Sequence, residues 1–226
     1  MAVEPVKPPD PAPFLLECLD AICRIEQEQP PAPPGSLPKR LGIRPGEAAE
    51  RVLALERGGL VRSEPSGRIR LTAAGRRIAS GLLRKHRLAE RFLADLLKLP
   101  WERVHEEACR LTPVLSDEVA DGLAVLLHEP THCPHGNAIP SAGGALPAEN
   151  GTALHRLRPG QGGIIVRIER EEPELLKYLA ALGLLPKTKV EVEEVAPFGG
   201  PVLVRLGSAR YALGREVASR IFVREV

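Results

Sequence analysis

The chain has 226 residues and a formal net charge of +2. Its length allows two or three small domains, and its charge excludes a uniformly basic nucleic-acid-binding protein, so any basic surface must be local. No apolar run approaches the roughly 20 residues that span a bilayer, and residues 1–13 are Pro-rich without the apolar segment of a signal peptide. These features predict a cytoplasmic protein with no membrane contact, in which the four cysteines are thiols.

The first third of the chain alternates short helical and extended patterns. Residues 1–13 are predicted to be a disordered tail. The elements predicted after it are helices over Phe14–Gln29, Ser36–Gly42 and Pro45–Arg57, then strands over Leu60–Arg62 and Arg68–Leu71. This order predicts a winged helix-turn-helix DNA-binding domain over residues 14–79.

Charged residues of this segment are the candidates for contact with DNA. The basic candidates for the phosphate backbone are Lys39, Arg40, Arg44, Arg51, Arg68 and Arg70. The presumed recognition helix also carries Glu47 and Glu50, which phosphates repel but which can accept a hydrogen bond from cytosine N4. A solvated charged face is the alternative for each residue, but collectively they favour DNA.

Residues 80–140 are predicted to be a helical domain. Ser116 is a good N-cap, and Asp117 and Glu118 follow it in the first helical turn. The helix carries one apolar stripe that is able to bury against a second subunit, formed by Val119, Leu123, Leu126 and Leu127.

Two pairs of metal-ligating residues lie in this helical segment. His86 and Glu90 are four residues apart, as are His105 and Cys109, so each pair shares one face of a helix. Two imidazoles, a carboxylate and a thiol suit a divalent transition metal. An ion pair on a helix surface is the alternative for His86 and Glu90, and simple packing is the alternative for Cys109.

The C-terminal third follows a Gly/Pro/Ala-rich linker over residues 141–152. Strands are predicted over Gly163–Ile168, Lys189–Val195, Pro201–Leu206 and Ile221–Val223, with one helix over Pro173–Leu182. Short strands at this spacing favour a small β-barrel over residues 153–226. The fold class is therefore α+β with several domains.

The sequence resembles the diphtheria-toxin-repressor family of metal-dependent transcriptional regulators. The resemblance rests on the winged-helix pattern, on His86-Arg-Leu-Ala-Glu-Arg91, on His105-Glu-Glu-Ala-Cys109, and on Cys133-Pro-His-Gly-Asn137. Leu182-Gly-Leu-Leu-Pro186 is similar to the SH3-like domain shared with the ferrous-iron transport accessory protein. The resemblance implies a dimeric repressor that binds operator DNA when Mn(II) or Fe(II) is bound, with Co(II) or Zn(II) also permitted by the ligands.

The resemblance implies two metal sites of unequal quality. The ancillary site takes His86, Glu90 and His105, with an acidic ligand from the barrel near Glu172. The primary site takes Glu17 and Cys109, but Thr112-Pro113 stands where the family has a Glu-His pair. The chain therefore fits a regulator with one good site, one with a moved activating site, or one without metal dependence. For His132, Cys133 and His135 the resemblance implies a structural turn, with a surface zinc clip as the alternative.

Other classes of function remain as alternatives. One is a metal-independent DNA-binding regulator, and another is a metal-handling or interaction protein that does not bind DNA. The chain has no Gly-rich phosphate loop, nucleophile elbow or H-E-x-x-H motif. We therefore expect a protein that is not an enzyme.

Overall fold

The computed structural model describes residues 13–147 and 151–225. The chain divides into two compact units, Met1–Leu83 and Arg84–Val226. The predicted α+β class is confirmed, with helices first and a sheet in the C-terminal part. None of the described helices is both long enough and apolar enough to cross a bilayer.

The first unit contains three helices, a small hairpin and the start of a long helix. Its elements are α1 (Pro13–Glu28), α2 (Ser36–Leu41), α3 (Pro45–Arg57), β1 (Val61–Ser63), β2 (Ile69–Leu71) and the first residues of α4 (Ala73–Asp95). The two strands pair antiparallel, and the Thr72 hydroxyl accepts a hydrogen bond from Gly75 N at 3.1 Å, which caps α4. The predicted tail lies outside the described residues, except that Pro13 is the first residue of α1.

The core of the first unit forms because α1 buries one continuous stripe. Leu19 and Ile22 are fully buried in a cluster that includes Leu37 and Leu55 of the next two helices. Cys18 and Cys23 are buried free thiols in the same cluster, as small hydrophobic side chains would be.

The second unit combines the middle helices with a six-stranded sheet. Its helices are the remainder of α4, α5 (Val104–Leu111), α6 (Asp117–Leu126), α7 (Pro173–Leu182) and α8 (Arg215–Arg220). Its strands are β3 (Thr152–Ala153), β4 (Gly162–Ile168), β5 (Lys189–Val195), β6 (Val202–Leu206), β7 (Ala209–Leu213) and β8 (Ile221–Glu225). The sheet order is β3-β8-β4-β5-β6-β7, with every pair antiparallel.

The apolar stripe predicted on α6 divides between two environments. Leu123 and Leu127 pack against Leu88, Ala120, Ala124 and Ile139 of their own unit. Val119 and Leu126 are exposed, as are the neighbouring Val125 and Val114. Part of the predicted stripe therefore packs in the core. The exposed apolar surface also includes Val114 and Val125, which the sequence pattern did not include in the stripe.

Candidate metal centre

Five titratable side chains lie close together inside the second unit. His86 and Glu90 lie one turn apart on α4, His105 lies on α5, His135 lies in a turn after α6, and Glu171 follows β4. Glu90 and His135 are completely buried, and His86 is 3 % exposed. Charged and titratable groups at this depth must neutralise one another or hold an ion.

The distances within the cluster centre on Glu90. Its Oε1 lies 3.0 Å from His86 Nε2, 3.0 Å from His105 Nδ1 and 3.4 Å from His135 Nδ1. Glu171 completes the cluster, with Oε2 2.7 Å from His105 Nδ1. The structure therefore brings together three of the residues predicted as metal ligands, His86, Glu90 and His105.

A tight turn carries His135 to the centre by docking against β4. Cys133 N donates to Asn137 O at 2.8 Å, and Ile168 N donates to His135 O at 2.9 Å. Gly136 has φ +85°, and a Cβ at this position would lie 1.9 Å from Val166 O, so only glycine allows this approach. Asn137 Nδ2 donates both to Ile168 O and to Glu171 Oε1, at 3.1 and 2.5 Å, and so fixes the carboxylate.

The acidic residue from the sheet is Glu171 and not Glu172. The side chain of Glu171 is 3 % exposed, whereas that of Glu172 is 62 % exposed and lies 4.0 Å from Arg170. Arg170 adopts φ 55°, a left-handed conformation that turns the chain immediately before Glu171. The structure therefore places Glu171 in the cluster, one residue before the predicted Glu172, because the pattern of acidic residues did not reveal this local turn.

Hydrogen bonds around the centre select which imidazole nitrogen faces inward. The Thr112 hydroxyl donates to Ala108 O at 2.7 Å, so its oxygen is an acceptor for His86 Nδ1 at 3.2 Å, which leaves His86 Nε2 toward Glu90. His135 Nε2 lies 3.2 Å from Trp101 O, a partner that can only accept, which leaves His135 Nδ1 directed inward. Such outer partners orient metal-binding imidazoles and set their tautomers.

Thr112 is expected to act through His86. Replacing Thr112 by valine keeps the shape of the side chain but removes the acceptor for His86 Nδ1, and we expect metal affinity to fall about 10- to 100-fold. Thr131→Val is the matched control, because Thr131 Oγ1 lies 2.9 Å from Nδ1 of His132 at an exposed position. Chelator competition with Mn(II) measures both variants, and equal affinities would contradict the assigned role.

The pKa values of the cluster show strong mutual stabilisation of charges. Burial opposes the charged form of Glu90, but the neighbouring histidines hold its pKa well below 4.5. Burial also opposes the protonated form of His105, but Glu171, Cys109 and Glu90 together raise its pKa to about 12. The pKa of His135 is raised and that of Glu171 is lowered for the same reason, since carboxylates and imidazoles stabilise each other's charges despite burial.

The residues present fit a divalent transition metal. The ligand atoms of His86, Glu90, His105 and Glu171 all lie within 4.8 Å of one another, as do those of Glu90, Cys133, His135 and Glu171. Glu90 Oε2 and His135 Nδ1 are buried without a hydrogen-bond partner among the described residues. A bound cation would satisfy both atoms, since imidazole nitrogen and carboxylate oxygen are common transition-metal ligands.

Comparison with known proteins assigns the chain to a family. Residues 72–141 match the iron dependent repressor, metal binding and dimerisation domain, and residues 152–225 match the FeoA domain. The iron-dependent repressor IdeR of Mycobacterium tuberculosis is 34 % identical over 220 residues, which cover 92 % of this chain and 95 % of that protein. The chain belongs to the iron-dependent repressor family.

Two further relatives agree with this membership. The diphtheria toxin repressor of Corynebacterium jeikeium is 40 % identical to this family member over 122 residues, 54 % of this chain and 51 % of that protein. The solved structure of a manganese-dependent transcriptional repressor in complex with manganese is 31 % identical, with a TM-score of 0.85. It covers 94 % of this chain and 100 % of that chain.

The other candidate ligands of this family member lie outside the groups that contain carboxylates, and Cys109 forms a further potential ligand group with His86 and His105. Cys109 is exposed, and its Sγ lies 3.6 Å from His105 Nε2, the nitrogen that faces away from Glu90. Glu17 belongs to the first unit, where its carboxylate lies 3.7 Å from Arg51 and is 64 % exposed. Thr112 orients His86, and Pro113 is exposed and offers no ligand atom, so the described residues do not form the family's Glu-His pair.

The residues predicted to contact DNA all lie in the first unit. Lys39, Arg44 and Glu50 are exposed, and Arg40 is half-buried. Contacts within the unit involve Arg51, Arg70 and Arg68. Arg51 pairs with Glu47 at 2.6 Å, Arg70 pairs with Glu64 at 3.1 Å, and Arg68 donates to Pro31 O at 3.3 Å.

Sequence interpretation missed Cys133, His135 and Glu171 as members of the centre. Cys133 and His135 were assigned to a structural turn, which they do form, but the turn also delivers both side chains to Glu90 and Glu171. The signal available was the spacing Cys-x-His beside an otherwise unexplained Asn137. What the sequence could not show was the partner strand, which lies some 30 residues further along the chain.

Proposed function

We propose that the chain is a metal-responsive transcriptional repressor whose buried centre, formed by His86, Glu90, His105 and Glu171, senses a divalent ion. The observation that carries the proposal is the convergence of these four side chains from two helices and the sheet into one group within 4.8 Å. Mn(II) and Fe(II) suit the ligand set, and Co(II) or Zn(II) can substitute. The proposal takes the centre as the activating site, because the chain lacks the Glu-His pair at 112–113.

The proposed organisation has three functional parts. Residues 14–79 form a winged helix, supported by the order of three helices and an antiparallel hairpin. Residues 80–140 form the metal-binding and dimerisation part, and residues 141–152 form a linker, of which 148–150 lie outside the described residues. Residues 153–226 form an SH3-like domain, supported by the match to the FeoA domain and by the antiparallel sheet.

DNA is the proposed partner of the first unit. Lys39 and Arg44 are exposed on α2 and just before α3, where they can contact phosphates. Arg51 is 18 % exposed and held between Glu47 and Glu17, so we propose that it orders the helix and does not contact phosphate. Glu50 remains the exposed acid of α3 that can accept a hydrogen bond from cytosine.

A second copy of the chain is the proposed partner of α6. Val119, Val125 and Leu126 are each about half exposed or more, at 49, 69 and 55 %, and large apolar side chains at such exposure are typical of an interface. The matched family description names dimerisation for this segment. Sedimentation of the purified protein tests this part of the proposal.

The proposed mechanism is a linkage between the centre and DNA affinity. When bound, a divalent ion would supply the positive charge that the proton on His105 supplies in the metal-free protein. His86 and Glu90 lie on α4, His105 lies on α5, and Glu171 lies just before α7, so an ion bound by all four would link these elements. A ligand that favours one arrangement of these elements raises DNA affinity, and DNA then raises metal affinity by the same factor.

The test is selection of genomic DNA fragments by purified protein with Mn(II), with anaerobic Fe(II), and with chelator. We expect palindromic fragments to be recovered only with metal, and we expect His86→Ala to lose this recovery. His132→Ala is the control, because His132 is an exposed histidine outside the cluster.

Two other outcomes of this selection would favour the alternative functions. Equal recovery with chelator would support a metal-independent DNA-binding regulator. Recovery in none of the conditions would overturn the repressor proposal and favour a metal-handling protein.

A further inference from the structure

Three groups of described side chains could hold a metal ion, and the two that contain carboxylates overlap in a specific way. His86 and His105 form one group with Glu90 and Glu171, and Cys133 and His135 form another with the same two carboxylates. The shared residues are therefore both acidic, while the unshared residues are imidazoles and a thiol. Carboxylates have two oxygens and can bind two ions at once, whereas one imidazole nitrogen or one thiolate ordinarily binds one.

The two oxygens of Glu171 face different members of the cluster. Oε2 lies 2.7 Å from His105 Nδ1. Oε1 lies 3.7 Å from His135 Nδ1 and 3.9 Å from Cys133 Sγ. The ring centroids of His105 and His135 are 6.4 Å apart, so the two imidazoles approach the carboxylates from separate positions.

Glu90 also meets both groups, but through the same oxygen, Oε1, so that its second oxygen is available for an ion. Its Oε1 contacts His86 and His105 at 3.0 Å each, whereas its Oε2 is buried with no hydrogen-bond partner among the described residues. His135 Nδ1 is likewise buried and unpartnered within the part of the chain described, because its distance of 3.4 Å from Glu90 exceeds ordinary hydrogen-bond length. A single ion placed between His86 and His105 would not account for the arrangement of Cys133 and His135 around the other oxygen of Glu171.

We propose that the centre holds two divalent ions bridged by Glu90 and Glu171. His86 and His105 complete the ligands of one ion, and Cys133 and His135 complete those of the other. The inference rests on the proposed metal-binding function of this centre, but not on DNA binding. Charge is nearly balanced, since two carboxylates and one thiolate offset three of the four positive charges. Loss of the Cys133 proton to solvent accompanies binding of the second ion.

The proposed ions differ in their ligand chemistry. The Cys133 position supplies a thiolate, which favours softer metals, while the His86 position supplies only nitrogen and oxygen. Co(II) is the suitable probe because both ligand sets accept it, and a thiolate ligand gives it a charge-transfer absorption in the near ultraviolet. The Cys109→Ser background removes the exposed thiol beside His105 as a competing source of that absorption.

The experiment is titration of the full-length Cys109→Ser protein with Co(II), with metal content, absorption and electron paramagnetic resonance measured together. We expect two Co(II) per chain and a thiolate band. We also expect a resonance signal per ion that weakens when the second site fills, because bridged ions couple magnetically. Cys133→Ser and His86→Ala are each expected to bind one Co(II), and only Cys133→Ser loses the thiolate band.

Three results would overturn the proposal. These are one Co(II) per chain in the parent protein, two ions without magnetic coupling, and a thiolate band that survives Cys133→Ser. Stoichiometry and coupling in the parent protein decide the question even if a variant fails to fold. Two coupled ions without metal-dependent DNA recovery would instead overturn the proposed function alone, and metal-dependent recovery with one ion would overturn only the bridged pair.

Discussion

Replacing Glu171 by glutamine is expected to lower metal affinity by at least about 100-fold, because changing groups that merely orient metal ligands already costs 10- to 100-fold. The substitution keeps the size of the side chain and one acceptor oxygen for Asn137 but removes the charge. Glu171 Oε2 lies 2.7 Å from His105, and Glu171 is the acid that the sheet contributes. Chelator competition with Mn(II) measures the loss, and metal-dependent DNA recovery is expected to disappear with it.

The adjacent residue provides a matched control for this prediction. Glu172→Gln makes the same chemical change one position further along the chain, at a side chain that is 62 % exposed. We expect this variant to bind metal like the parent protein, because a charge in high dielectric contributes little to the buried centre. If Glu172→Gln lost affinity and Glu171→Gln retained it, the assignment of the ligand from the sheet would be wrong.

Metal affinity is expected to rise at least about tenfold per pH unit between pH 6 and 8, because bound metal must displace a proton from His105. The pKa of His105 in the metal-free protein is about 12, so this imidazole is protonated throughout the range. Chelator competition at several pH values gives the slope, and calorimetry in buffers of different ionisation enthalpy counts the protons released. Affinity independent of pH would contradict the prediction.

The same groups set how the metal-free protein responds to pH, and the signs are opposite for acids and imidazoles. The pKa of His105 is raised from 6.5, so its stabilising contribution is complete below pH 6.5 and is lost as pH rises toward 12. The pKa values of Glu90 and Glu171 are lowered from 4.5, so their contributions are present above pH 4.5 and are lost as pH falls. Urea unfolding of chelated protein is expected to show greatest stability from these groups between those values.

The variant His132→Ala is the control for both pH measurements. His132 is exposed and lies outside the cluster, so its removal is expected to leave the slope of metal affinity unchanged. His105→Gln removes the proton that metal displaces and is expected to flatten the slope as well as weaken binding.

Local sequence patterns were sufficient for most of the fold. The apolar stripe of α1, the proline that begins α3 and the cap at Thr72 are short-range signals, and the observed elements begin within a few residues of those predicted. Strand β7 and helix α8 were not predicted, because Ala209–Leu213 and Arg215–Arg220 are short and follow one another with only Gly214 between them. Helical spacing likewise placed His86 and Glu90 on one face of α4.

The remainder of the centre depends on contacts that no local pattern contains. Glu171 and Glu172 are chemically identical, and only the left-handed conformation of Arg170 decides which one is buried. His135 reaches Glu90 because Gly136 allows the turn to lie against Val166 of β4. Thr112 has a role because its hydroxyl lies within hydrogen-bond distance of His86, 26 positions away in the chain. The sequence shows that Thr112 departs from the family pattern, but it does not show this contact.

The turn around Gly136, which lies against β4, also makes the two matched segments depend on each other. The matched segments, residues 72–141 and 152–225, are separate families in sequence, yet each supplies part of one charge-balanced interior. A chain ending at residue 147 would keep His86, His105 and His135 but retain Glu90 as the only carboxylate among them. Such a fragment would lose both the carboxylate of Glu171 and the strand that covers the turn, and the pKa of His105 is expected to fall in it. The C-terminal segment thus supplies, through Glu171, the negative charge that keeps a proton on an imidazole of the helical segment.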